Sequence, residues 1–117
     1  MLLKLWRSLG YSLSGLKHAF YEEQSFRLEV IAGLLLIPVA FVVAKPFSES
    51  LLLIGSYLCV LMAELFNSAI EGLADKIEHE QCPQIKKVKD MSSAAVFIAL
   101  LIAAIVWVKA FYLWLIL

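Results

Sequence analysis

Five polar residues set in an apolar stretch carry the chemistry that this sequence can do. Glu64, Asn67, Ser68, Glu71 and Asp75 stand at i, i+3, i+4, i+7 and i+11, which is one face of a helix. The face emerges from an apolar run that starts at Leu51. An acid on a membrane helix is costly unless it faces protein or water, and is a functional candidate by default. A polar seam that glues helices together accounts for Asn67 and Ser68. It accounts poorly for Glu64 and Glu71, because two acids on one face repel unless protons or cations intervene. Seven residues of helix span about 10 Å, so these two carboxylates do not share one metal site on this helix. Glu71, toward the polar end, could hold a divalent cation. Glu64, deeper, could take a proton from a substrate arriving through the lipid.

Two further clusters fall at the same level of the chain. Lys89-Asp90-Met91-Ser92-Ser93 precedes the last apolar run. Lys89 offers a cation for phosphate, or else simply flanks a membrane span, and Asp90 is placed to cap the helix that follows. Glu22 and Glu23 stand before the first apolar run, with Glu29 at its start. Glu22 suits a solvated charge run, whereas Glu23 could supply another acid at the depth of Glu71. There is no Walker A sequence, kinase glycine-rich loop, zinc motif or nucleophile elbow. Phosphate chemistry here would need carboxylates, Mg²⁺ and lysine.

The elements that must position these residues follow from composition. Of 117 residues, 62% are hydrophobic and 17% charged, against about 45–50% and about 25% in soluble domains. Mean hydropathy is +0.87, and a soluble globule this small could not hide so much apolar surface. The alternation of membrane-barrel strands is absent. The fold class is therefore an all-α membrane protein. Net charge is zero, which argues against a nucleic-acid partner. Cys59 and Cys82 are expected to be unpaired. No cleavable signal peptide is expected, so insertion would use the mature helices.

The chain is expected to form a single membrane domain over 1–117, with spans at about 28–45, 50–74 and 91–117, each near the length that crosses a bilayer. Residues 1–26 differ. Leu5, Leu9, Leu13, Leu16 and Phe20 recur at helical spacing, with Arg7, Lys17 and Glu22 around them. This predicts an amphipathic helix lying in the headgroup plane. Lys4, Arg7, Lys17 and Arg27 precede span one, and Lys76, Lys86, Lys87 and Lys89 lie between spans two and three. By the positive-inside rule the N-terminus and the 76–90 loop are cytoplasmic. Trp107, Tyr112 and Trp114 would then form an outer-interface belt. Ala95, Ala99 and Ala103 would allow close helix approach.

Glu64-x-x-Asn67-Ser68-Ala69-Ile70-Glu71-x-x-x-Asp75, followed by Lys89-Asp90-Met91-x-Ser93-Ala94-Ala95-Val96, resembles the prokaryotic diacylglycerol kinase family. Gly10-Tyr11-Ser12 and Phe26-Arg27-x-Glu29 extend the likeness over nearly the whole chain. The resemblance implies an ATP:lipid phosphotransferase of the bacterial cytoplasmic membrane, working as a homotrimer with shared active sites. By position, Glu64 is the expected general base on the lipid hydroxyl, supported by Asn67. Glu23 and Glu71 are expected to hold Mg²⁺ with the ATP phosphates. Lys89 and Asp90 are expected near the nucleotide, with Lys89 facing the transferred phosphoryl, and Ser93 near the lipid. Tyr11 matches a nucleotide-contacting position. Lys4 stands where relatives often carry arginine, Ser92 where many carry glycine, and Glu80 falls in a loop of differing sequence. The family also contains undecaprenol kinases, which often have threonine at the position of Ser68. Serine is the form more typical of diacylglycerol kinases, so diacylglycerol is the expected substrate and undecaprenol the alternative. A non-enzymatic membrane scaffold is the alternative of a different class, and it would need none of these acids.

Overall fold

The computed structural model describes residues 1–77 and 82–117. These form four helices, α1 (Leu2–Glu22), α2 (Gln24–Val43), α3 (Phe47–Ile77) and α4 (Pro83–Ile116). Among the described residues, α2, α3 and α4 are long and apolar enough to cross a membrane, and the chain is a membrane protein. Glu80 lies outside the described residues.

The α1–α2 junction is a one-residue elbow. Glu23 is extended, with φ −107° and ψ 106°, so the helix ending at Glu22 cannot continue through it. The exposed carbonyls at the end of α1 find a donor in Arg27, whose guanidinium reaches back to the carbonyl oxygens of Phe20 and Tyr21, each at 3.3 Å. A cation there also suits the negative end of the α1 dipole. Glu23 is the residue preceding α2, yet its side chain makes no capping hydrogen bond. Its carboxylate is left for other work.

The opposite end of α2 is tied to α3. The last carbonyls of a helix lack intrahelical donors, and in lipid each must find one within the protein. Buried Ser50, at the start of α3, donates from Oγ toward both Ala44 O (2.8 Å) and Ala40 O (3.2 Å). Phe41 and Phe47 stack across the same turn with centroids 5.8 Å apart. Around this tie lies the small core of Ala40, Ala44 and Leu53, packed by Ile54, Val106, Trp107 and Ala110. Trp107 donates its indole N–H to the carbonyl of Leu53 at 3.1 Å. It therefore turns inward, out of the aromatic belt expected for it, while Tyr112 and Trp114 remain exposed. Of Ala95, Ala99 and Ala103, only Ala103 is buried.

The connection between α3 and α4 also differs from expectation. The reading of 76–90 as a loop gives way to helix on both sides, because α3 runs to Ile77 and α4 starts at Pro83. Proline suits the first turn, where its missing N–H would be unpaired in any case. Cys82 precedes it as the N-cap. Asp90 is therefore two turns inside α4 and caps nothing.

Candidate functional site

The polar face of α3 is continuous, since α3 has no break between Phe47 and Ile77. Glu64, Asn67 and Ser68 are half-buried, and Glu71 and Asp75 are exposed. Asn67 donates from Nδ2 to Glu71 Oε1 at 3.3 Å, which steadies that carboxylate and leaves its second oxygen open. The Oδ1 of Asn67 is buried with no hydrogen-bond partner.

Helix α2 adds an acid that the sequence reading did not place in the site. The side chain of Glu29 stands close to that of Glu64, and its Oε2 is buried without a partner. The available signal was an acid just inside the start of an apolar run. Glu29 and Asn67 both present oxygens short of donors, and Glu64 neighbours Glu29 across the helices and stands one turn before Asn67 on α3. A buried acceptor without a donor is costly, so this cluster favours a ligand that brings a hydroxyl or a cation.

Helix α4 brings Lys89 to the same face. Its ammonium pairs with the Asp75 carboxylate, four residues beyond Glu71. Asp90 is held by Lys86 at 2.7 Å on its own helix. Ser93 is exposed on α4, beside buried Ser92, whose Oγ has no partner.

Helix α1 closes one side of a cleft of about 640 Å³ against α3. Glu22 and Glu23 line it from one wall, and Ser68 and Ala69 from the other. Glu23 thus opens into a space that meets the polar face of α3 at Ser68, whereas Glu64, Asn67 and Glu71 are not among the residues lining it. Tyr11 and Lys4, farther along α1, are exposed and are not among the residues lining this cleft. Among the described residues, no three histidine, cysteine or acidic side chains converge to form a metal cage within one chain. Magnesium bound with nucleotide needs only one or two carboxylates beside the phosphates. Glu71, oriented by Asn67, and the uncommitted Glu23 are each oxygen donors of that hard type, and each by its chemistry suits such an ion, but within one chain they do not line the same cleft. Cys59 and Cys82 are both free.

Comparison with known proteins sets this arrangement in a family. Residues 10–111 match the family model described as prokaryotic diacylglycerol kinase. A diacylglycerol kinase of Haemophilus influenzae is 44% identical over 106 residues, covering 91% of this chain and 90% of the relative. One from Pseudomonas aeruginosa is 42% identical, covering 91% and 86%. One from Helicobacter pylori is 43% identical over 105 residues, covering 89% and 81%. Similarity of this extent runs through all four helices, well beyond the polar face of α3, and the chain belongs to the prokaryotic diacylglycerol kinase family.

Proposed function

We propose that this chain transfers the γ-phosphoryl group of Mg-ATP to the primary hydroxyl of 1,2-diacyl-sn-glycerol, giving phosphatidic acid and ADP. The observation that carries the reading is the acid-bearing face of α3, with Glu64 deep, Glu71 at the exposed end and Lys89 brought onto it from α4. The diacylglycerol kinase names of the relatives and Ser68 support diacylglycerol as the acceptor.

Glu64 accepts the proton of the lipid hydroxyl as its oxygen attacks the γ-phosphorus and the bond to the β-phosphate oxygen breaks. Asn67 holds Glu71 and borders Glu64. Glu71 and Glu23 are the residues that would hold Mg²⁺, which when bound neutralises charge on the β- and γ-phosphates. Lys89 faces the transferred phosphoryl, with Asp90 beside it. Tyr11 and Lys4 contact the nucleotide, and Ser93 the lipid. The depth difference along α3 gives each substrate its own approach, the nucleotide from water and the lipid from the bilayer.

Exposed apolar side chains cover much of all four helices, and the acids need protein around them to be shielded from acyl chains. We therefore place the chain in a homotrimer, as the family resemblance implies, with sites shared between subunits. Helix α1 lies in the headgroup plane of the bacterial cytoplasmic membrane, with the N-terminus and the α3–α4 connection cytoplasmic, following the basic residues. Purified protein in mixed micelles with γ-labelled ATP and Mg²⁺ tests the function. Labelled phosphatidic acid is the expected product. Label in undecaprenol alone would reassign the acceptor, and label in neither lipid from folded protein would leave a scaffold.

A further inference from the structure

The pair between Lys89 and Asp75 differs from the other contacts of a basic with an acidic side chain among the described residues. His18–Glu22 and Lys86–Asp90 each join neighbours one turn apart on a single helix, whereas Lys89–Asp75 crosses from α4 to α3. It is also asymmetric in cover, with the lysine side chain 34% exposed and the aspartate 60%. The lysine is the member folded against the protein, and the aspartate stands outside it.

Asp75 occupies the same α3 face as Glu64, Asn67 and Glu71, and sits about 6 Å along the axis from Glu71. A lysine is a point charge on a flexible four-carbon stem, and an untethered one samples many rotamers. Paired with Asp75, the Lys89 ammonium waits one turn from the carboxylate that would carry the metal–nucleotide complex. An exposed ion pair is weak, whereas a polyphosphate offers a cation more charge and several acceptor oxygens. The lysine can therefore leave this partner readily for a better one.

We propose that Asp75 is a positioning residue that parks the Lys89 ammonium on the acid-bearing face of α3 between turnovers, and that Lys89 exchanges this carboxylate for phosphoryl oxygens when nucleotide binds. The inference rests on the reading of Lys89 as the phosphoryl-facing cation. No bond to carbon or phosphorus changes in the exchange. One ionic partner replaces another, and Asp75 returns to water.

The consequence is a split between kinetic constants. Asp75 competes with phosphate for Lys89, so removing its charge should not weaken nucleotide binding. It should instead free the ammonium for phosphate and tighten binding. For Asp75→Asn we expect KM for Mg-ATP to fall about fivefold with kcat little changed, the pattern of a lost competitor in the nucleotide-free enzyme. Asp75→Glu, which keeps the charge, should return KM most of the way to its original value. Amine acetylation read by mass spectrometry gives a second measure. Lys89 in nucleotide-free protein should label several-fold faster in Asp75→Asn than in the unmutated protein.

Lys89→Gln, alone and combined with Asp75→Asn, separates this inference from the reading beneath it. If Asp75 acts through Lys89, the aspartate substitution has no further effect on KM once the lysine is gone. Full kcat in Lys89→Gln would overturn the phosphoryl-facing role itself. A slow Lys89→Gln enzyme together with unaltered KM and unaltered Lys89 labelling in Asp75→Asn would overturn the parking role alone. So would an equal fall in KM on adding Asp75→Asn in both backgrounds.

Discussion

A single methyl group placed at residue 33 tests the packing of α2 against α3. A Cβ there would lie 2.6 Å from Cε1, 3.2 Å from Cδ1 and 3.4 Å from Cζ of Tyr57. Carbon atoms settle at about 3.5–4.0 Å, so the ring must retreat by about 1 Å. It is not free to do so, because the Tyr57 hydroxyl donates to the carbonyl of Glu29, one helical turn before Gly33. Overpacking of this kind costs about 1–3 kcal/mol, and a displaced hydroxyl forfeits about 0.5–1.5 kcal/mol. Alanine returns about 1 kcal/mol through its better helix propensity. Gly33→Ala should therefore destabilise the protein by about 0.5–3.5 kcal/mol, net of these effects. Denaturant titration of detergent-solubilised protein, followed by tryptophan fluorescence, measures it. Tyr57→Phe keeps the three ring atoms but releases the tether, so the cost of Gly33→Ala there should fall by the hydrogen-bond part, about 0.5–1.5 kcal/mol. Tyr57→Leu removes those atoms, and in that background Gly33→Ala should be neutral or stabilising. An equal cost in both backgrounds, or a gain in the unmutated protein, would refute the contact as the cause.

Glu64→Gln keeps size and polarity but cannot accept a proton, so kcat should fall at least about 10²-fold while Mg-ATP titrations change little; near-normal kcat would remove Glu64 as the base. Glu71→Gln should instead weaken Mg-ATP binding, with partial rescue by added Mg²⁺, and equal loss of affinity in Glu64→Gln would contradict the division of roles. Mixing Glu64→Gln subunits with Glu23→Gln subunits should restore activity that neither has alone, and no recovery despite demonstrated exchange would exclude shared sites. Ser50→Ala should cost about 1–3 kcal/mol by stripping the donor from the Ala44 carbonyl, since the Ala40 carbonyl keeps the Ala44 N–H, and an unchanged denaturation midpoint would show that the Ala44 carbonyl is satisfied otherwise.

The membrane class was legible because apolar residues dominate so heavily that nothing soluble can be built from them. The α3 face was legible because Glu64, Asn67, Ser68 and Glu71 declare themselves by spacing alone on an unbroken helix. Helix ends were harder. The sequence suggested a third span beginning near Asp90, where the apolar run begins, but its helix, α4, starts earlier at Pro83 and the added turns are charged. Hydropathy marks what lipid can cover, and a helix can extend past that into water. Contacts between helices were not legible at all. Asp75 with Lys89, Tyr57 with Glu29 and Gly33, and Ser50 with Ala40 join residues whose separations follow no helical period. Trp107 illustrates the same limit, since an aromatic residue near a span end suits an interface belt until a carbonyl on another helix claims its N–H.

The buried positions of this chain are mostly occupied by small side chains, among them Ala19, Ala40, Ala44, Ser50, Ala74, Ser92 and Ala103, while large aliphatic residues face outward. Mutational tolerance should therefore run opposite to that of a water-soluble bundle. On the faces left to lipid once subunits have assembled, identity matters little provided the residue is oily, and Leu, Ile, Val and Phe become nearly interchangeable letters. On the inside, a change of one methyl group is legible to the neighbouring backbone, and the informative sites are those that look chemically dullest. Residue volume, more than residue character, is the alphabet in which the packing of this protein is written.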